Sequence, residues 1–237
     1  RRRARRRPAR HLSAGGEVSP PVFDVPLLPR DARRAEGQEK LEFHLLGGLD
    51  GEAPGERATR VALLGGIRHL HVFFEVLSDP PLRVRARQPH DEVWDDECVE
   101  LFWADAAEPS RYLEVVVNPG GTHYAARVAN PHASRETWHL LRGVPVPGLR
   151  IRVEGDPPGL LPTEWERWRC WISIPWPALN PPLPRPRPGE ERRGNLTRIA
   201  RGSGGARFES LVATGRSRPP DFHVPATFAT FRFVGIL

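Results

Sequence analysis

Carboxylates are the side chains of this sequence best placed to do chemistry. Asp95, Asp96 and Glu97 stand in a row, and hard oxygen ligands of this kind suit calcium. Three consecutive acids on an extended strand cannot all face one ion, and the spaced Asp/Asn pattern of an EF-hand is missing. The expectation is therefore a solvated acidic loop, with structural calcium as the competing reading. Glycoside hydrolysis asks for two carboxyls about 5 to 10 Å apart across a cleft. Glu100, Glu114, Glu164 and Glu166 are available, and no motif singles out a pair among them. Glu100 sits in the run CVELFW, where Cys98, Glu100 and Phe102 fall on one face of an alternating strand and Val99, Leu101 and Trp103 on the other. A carboxylate between Cys and Phe is half buried and needs a partner, either an arginine in an internal salt bridge or a ligand. The thiols Cys98 and Cys170 make neither a disulfide framework nor a zinc site. They read as two buried thiols, with a single bridge as the alternative. No G-x-S-x-G, H-E-x-x-H, P-loop or G-x-G-x-x-G occurs in context, which argues against a catalyst.

Charge gives a second line of argument. The 237 residues carry a net charge of +6 and a pI near 10.4, values that suggest a nucleic-acid or anionic-surface binder. Seven of the 35 basic residues lie in Arg1 to Arg10, which holds no acid; the other 28 face 29 acids, so the rest of the chain carries −1. Seven arginines could bind phosphate in a salt-dependent way. With no aromatic interleaving and no reading element, no specific nucleic-acid partner is expected, and no 18-residue apolar run crosses a membrane. Lys40 is the only lysine, Met is absent and Pro reaches 27, a bias resembling translation of a bacterial-like, GC-rich gene. A chain without Met at position 1 is expected to lack its true start. With no signal peptide visible, the cytoplasm is the default location and secretion the alternative.

The elements that must position these side chains are strands. Residues 1 to 38 combine the arginine run with the Pro-spaced SPPVFDVPLLPR, and read as a disordered basic tail and an extended lead-in. From 39 to 237 short apolar or alternating runs recur at intervals of roughly ten residues, the pattern of an antiparallel β protein. Strands are expected at Leu41 to Leu46, Thr59 to Leu64, Leu70 to Leu77, Cys98 to Trp103, Tyr112 to Asn118, His123 to Val128, Leu149 to Val153, Trp168 to Ile174, Asn195 to Ala200, Phe208 to Ala213 and Thr230 to Val234. That number calls for two sheets, hence an all-β single antiparallel β-sandwich. Asn118-Pro-Gly-Gly121 supplies the φ > 0 residues of a hairpin turn. Pro181 to Gly194 is an exposed polyproline-like loop, since each Pro lacks a ladder donor.

Five strings then occur in a telling order: VWDDECVELF (Val93 to Phe102), YLEVVVNPGGTHYAARV (Tyr112 to Val128), CWISIPWPAL (Cys170 to Leu179), GNLTRIARG (Gly194 to Gly202) and DFHVPATFATFRF (Asp221 to Phe233). Between about Arg57 and Phe233 the chain resembles the DOMON-like proteins related to carbohydrate-binding module family 9. The resemblance implies an immunoglobulin-like two-sheet sandwich that binds a glycan or small sugar without catalysis, between two aromatic rings. A pyranose presents apolar C–H faces and a rim of hydroxyls, so flat aromatic surfaces with short polar groups at the edge are what it needs. On this resemblance Trp94 and Phe222 match the clamp, Glu100 the carboxylate and Asn118 the strand-end amide. Asn195, Arg198 and His223 are further rim candidates. Val116 and Thr197 depart from the pattern, standing where an arginine and a longer amide would be. Each matched residue has a structural alternative: Trp94 and Phe222 as packing at the sandwich edge, Glu100 as half of a salt bridge, Asn118 as an ordinary turn residue. DOMON domains elsewhere hold haem between Met and His; here only two of the nine histidines could serve, and no Cys-x-x-Cys-His is present. No cofactor is therefore expected. A DOMON-like protein of another role, binding a small molecule or processing glycosides, is the competing reading.

Overall fold

The computed structural model describes residues 19–29, 41–179 and 184–235. The arginine run at Arg1 to Arg10 lies outside them. Thirteen strands follow one another: β1 Val22–Leu27, β2 His44–Leu45, β3 Arg60–Gly65, β4 His69–Leu77, β5 Cys98–Asp105, β6 Arg111–Val117, β7 His123–Ala129, β8 His139–Arg142, β9 Arg150–Asp156, β10 Arg167–Pro175, β11 Glu191–Gly202, β12 Gly205–Ser210 and β13 Ala229–Gly235. Every expected strand has a counterpart, although Leu41 to Leu46 shortens to the two residues of β2 and Phe208 to Ala213 is met by β12 three residues earlier, at Gly205–Ser210. Helix among the described residues is confined to short 3-10 turns such as Val93–Asp95, just before β5. None is long and apolar enough to cross a membrane.

Two elements differ from expectation. Residues 22–27 of the lead-in are a packed strand: β1 runs parallel to β13 through six register positions, and Val25 is completely buried. Proline had pointed away from a strand here, yet β1 meets β3 at a single register position, Leu27 against Gly65. Pro26 therefore sits where little ladder is lost. The second is β8, whose four residues are largely exposed and carry no alternating pattern.

The strands form one hydrogen-bonded sheet in place of two separate ones, in the order β8-β7-β6-β5-β11-β13-β1-β3-β4-β10-β9, with β12 on β11 and β2 on β3. Both partnerships of β1 are parallel, so the sheet is mixed. Its curl brings distant strands onto one core. Val99, Leu101 and Trp103 of β5 and Leu113 and Val115 of β6 share an apolar cluster with Val72 and Phe74 of β4 and Cys170 and Ile172 of β10. Trp103 stacks on Phe231 of β13 at 5.5 Å and 7°. Burying this face is the main apolar gain of the fold, and the period of two in β5 then sends Cys98, Glu100 and Phe102 to the opposite side. There a second cluster forms with Val116, Tyr124, Phe222 and Phe228. Cys98 and Cys170 are free, buried thiols in different clusters, and burial pushes both thiols above their ordinary range.

The turn at Asn118 is as expected. Gly121 takes φ +77°, its N–H donates to the Asn118 carbonyl at 2.9 Å, and Asn118 Oδ1 accepts from Thr122 N at 3.0 Å. The last four residues of the proline-rich stretch, 191–194, open β11; residues 180–183 lie outside the described residues.

Candidate functional site

The second face of β5, β6 and β11 is the floor of a cavity of about 230 Å³. Register places its floor: Glu100 opposes Thr197 of β11 and Val116 of β6, while Glu114 opposes Phe102. Glu100 and Glu114 are thus diagonal neighbours on adjacent strands, both aimed into the cavity. Trp94 on the turn before β5, Tyr124 of β7 and Arg142 of β8 line the cavity. So do Arg201 at the end of β11, Phe208 of β12 and Phe222 on the segment before β13, together with Arg135 and Trp138.

The aromatic rings are held by edges and cations. Trp94 packs edge-on to Tyr124 at 4.7 Å, and the Arg142 guanidinium lies 5.6 Å from the Trp94 ring. Phe208 and Phe222 sit 6.1 Å apart, with the Arg201 guanidinium 5.6 Å from Phe208. Trp138 meets His223 at 4.8 Å and 85°, and Arg135 donates to Asp221 Oδ1 at 2.8 Å. Trp94 and Phe222 share the cavity without touching, each taking other rings as neighbours.

Burial sets the protonation of the floor. Glu100, 2% exposed, is pushed up to about 7 by loss of water, opposed by the hydrogen bond that Thr197 Oγ1 donates at 2.7 Å. Glu114, 6% exposed, is pushed up to about 8 by burial and then by the charge of Glu100. The reverse holds for His223, whose imidazole is driven down to about 3 by burial and by Arg135. A neutral His223 pairs Nδ1 with the Tyr112 hydroxyl at 2.8 Å, leaving Nε2 at 3.8 Å from Glu114.

Of the residues expected to bind ligand, the cavity gathers Trp94, Phe222, Glu100 and His223. The other three are engaged within the protein and do not line it. Asn118 Nδ2 donates to Asp96 at 3.0 Å and to the Ala86 carbonyl at 3.2 Å. Asn195 bonds Ser210 Oγ at 2.8 Å and the amide of Leu196 at 2.9 Å. Arg198 is fully buried and pairs with Glu97 at 2.8 Å and Glu209 at 3.3 Å.

The acidic run is likewise corrected. Asp96 accepts the amides of Arg85 and Ala86 at 2.9 Å, Glu97 is completely buried against Arg198, and Asp95 pairs with Arg83 at 3.1 Å. Two of the three acids are thus internal ties in place of a solvated loop. Among the described residues no three His, Cys, Asp or Glu side chains are grouped to hold a metal ion.

Sequence reasoning did not single out Tyr124, Arg135, Trp138, Arg142, Arg201 or Phe208 as cavity residues. A signal was present in SRETWHLLR, where two arginines flank a tryptophan within eight residues; it is not periodic, because a loop and the exposed strand β8 carry it.

No family model matches the sequence, and no curated protein does. Solved structures share the fold. A candidate carbohydrate-binding protein from Bacteroides uniformis superposes with a TM-score of 0.70 at 20% identity, covering 91% of this chain and 100% of that one. A family 9 carbohydrate-binding module from Caldicellulosiruptor kristjanssonii in complex with glucose gives a TM-score of 0.58 at 14% identity, covering 91% and 97%. Its complex with cellotriose gives 0.56 at 15%, covering 91% and 95%.

Proposed function

We propose that this chain is a non-catalytic carbohydrate-binding protein, its curled sheet a DOMON-like β-sandwich related to family 9 modules. The observation that carries the reading is the composition of the cavity, which Trp94 and Phe222 line together with Glu100 and Glu114. Apolar ring faces offer surface to the C–H patches of a pyranose, and the carboxyls offer bonds to its hydroxyls. A volume of about 230 Å³ is below the ~300–1,000 Å³ of pockets that bury drug-sized ligands, which suits a single sugar ring. The shared fold with sugar-bound modules supports the same reading and by itself assigns no function.

Titration with mono- and disaccharides at millimolar concentration, followed by tryptophan emission and calorimetry, tests it. Saturable binding is expected, and Trp94→Ala should remain folded and lose at least tenfold in affinity. Silence of both signals across the sugar panel overturns the reading.

One observation favours a second reading, glycoside hydrolysis: two carboxyls, Glu100 and Glu114, share the cavity as diagonal neighbours on adjacent strands. Exposures of only 2% and 6% argue for hydrogen bonding over attack at a sugar carbon. Turnover of chromogenic glycosides that disappears in Glu100→Gln would select hydrolysis.

A further inference from the structure

The cations of the cavity are not equivalent. Arg135 is spent on Asp221, and the acid Asp95 on Arg83. Arg142 and Arg201 are different: each guanidinium lies over an aromatic ring, and neither forms an ion pair or a side-chain hydrogen bond with any described residue. Nε of Arg201 is buried without a partner. That one buried N–H without an acceptor costs free energy that a bound anion would recover.

We propose that the ring taken by this cavity belongs to a sugar acid, a hexuronate, whose carboxylate is held by the cationic rim of Arg142 and Arg201. The inference rests on the carbohydrate reading of the same cavity and adds the ligand's charge. Guanidinium is the cation best matched to a planar carboxylate, since its N–H groups can donate to both oxygens. Burial raises the proton affinity of Glu100 and Glu114, so the floor opposes the arginines less than two ordinary carboxylates would. In its protonated form each carboxyl can also donate to a sugar hydroxyl. A hexuronate exchanges a CH₂OH for a carboxylate and so fits where a neutral hexose fits. A phosphorylated sugar would have to place a bulkier group in the same small space.

The test is calorimetric titration of the full chain at pH 6.5 with matched pairs, glucose against glucuronate and galactose against galacturonate, together with glucose 6-phosphate. The trimer of galacturonate against that of galactose distinguishes a chain end from a free sugar acid. The acid of a pair should bind about tenfold or more tightly than its neutral partner, the gain expected of one hydrogen bond to a charged group. The preference should shrink in 0.5 M salt and collapse in Arg201→Gln. Arg142 is exposed, so Arg142→Gln gives the same measurement without threat to the fold. Neutral sugars binding as tightly as the acids, in monomer and trimer alike, overturn the hexuronate and leave the carbohydrate reading standing. Tighter binding of glucose 6-phosphate than of glucuronate also overturns it. Failure of every sugar, acid or neutral, overturns both.

Discussion

Thr197 Oγ1 donates a 2.7 Å hydrogen bond to Glu100 Oε2 across the register of β11 and β5. This contact gives Thr197 a role that its short side chain does not suggest: it orients the carboxyl on the floor instead of reaching the ligand itself. It also opposes the effect of burial on Glu100, because a donor favours the ionised form. Thr197→Val, which keeps the shape and deletes the donor, should move the Glu100 midpoint above about 7. It should cost about 1 kcal/mol of stability. Carboxyl-resolved NMR titration and urea unfolding read the two effects, and an unmoved midpoint would show that the hydrogen bond is not made in solution.

The buried floor makes stability depend on pH in a definite direction. Glu100 and Glu114 titrate near 7 and 8 in the folded chain against an ordinary value of 4.5. The folded state therefore binds more protons than the unfolded one above pH 4.5, and stability falls as pH rises through the folded midpoints. His223 works the other way, since a midpoint lowered to about 3 from 6.5 makes stability rise with pH across that interval. His44 and His123, lowered as well, act in the same sense, and all three fade about one pH unit above 6.5. The uncluttered window is therefore pH 7.5 to 8. Each carboxyl contributes up to roughly 1.4 kcal/mol per pH unit until its own midpoint is passed. The unfolding midpoint should drop across that window, and Glu114→Gln should flatten most of the decline. A decline unchanged in that variant would assign it to other groups.

The sequence made the alternation of β5 readable because both faces are buried by different partners. Val99, Leu101 and Trp103 enter the main core, while Cys98 and Phe102 enter the second cluster. Trp94, Glu100, Phe222 and His223 were reachable through motifs lying next to such strands. Asn118, Asn195 and Arg198 lie in the same motifs and face inward, a distinction that depends on which neighbours a polar group meets across the sheet. Arg198 finds Glu97 and Glu209 only because β5 and β12 flank β11. Arg142 and Trp138 were not legible for the opposite reason: no periodicity marks a short exposed strand or the loop before it.

Arg198 should matter for stability. Its guanidinium meets Glu97 at 2.8 Å with both side chains essentially out of water, and Thr59 Oγ1 lies at 3.3 Å. Arg198→Ala leaves Glu97 as an unpaired buried charge and should cost about 3–5 kcal/mol. Exchanging both partners for apolar residues should recover part of that loss, because the desolvation of two charges disappears with them. Urea unfolding of the two single variants and the double variant measures the coupling. Additive losses would mean that the pair does not act as a unit.

The strand Val22–Leu27 yields the last test. Val25 is wholly buried and lies opposite Phe233 in the parallel ladder with β13, and Phe23 packs on Phe231 at 6.2 Å. Phe231 in turn stacks on Trp103, so β1 supports the ring stack at the centre of the core. Val25→Ala should therefore cost on the order of 2 kcal/mol. An extended lead-in that packs against nothing would tolerate the same change within about 0.5 kcal/mol. Deleting residues 19–29 should go further, stripping β13 of its parallel partner and baring an apolar sheet edge that invites association between chains. Urea midpoints and light scattering distinguish the outcomes. A deletion variant that is as stable and as monodisperse as the full chain would show that β1 adds nothing to the sheet.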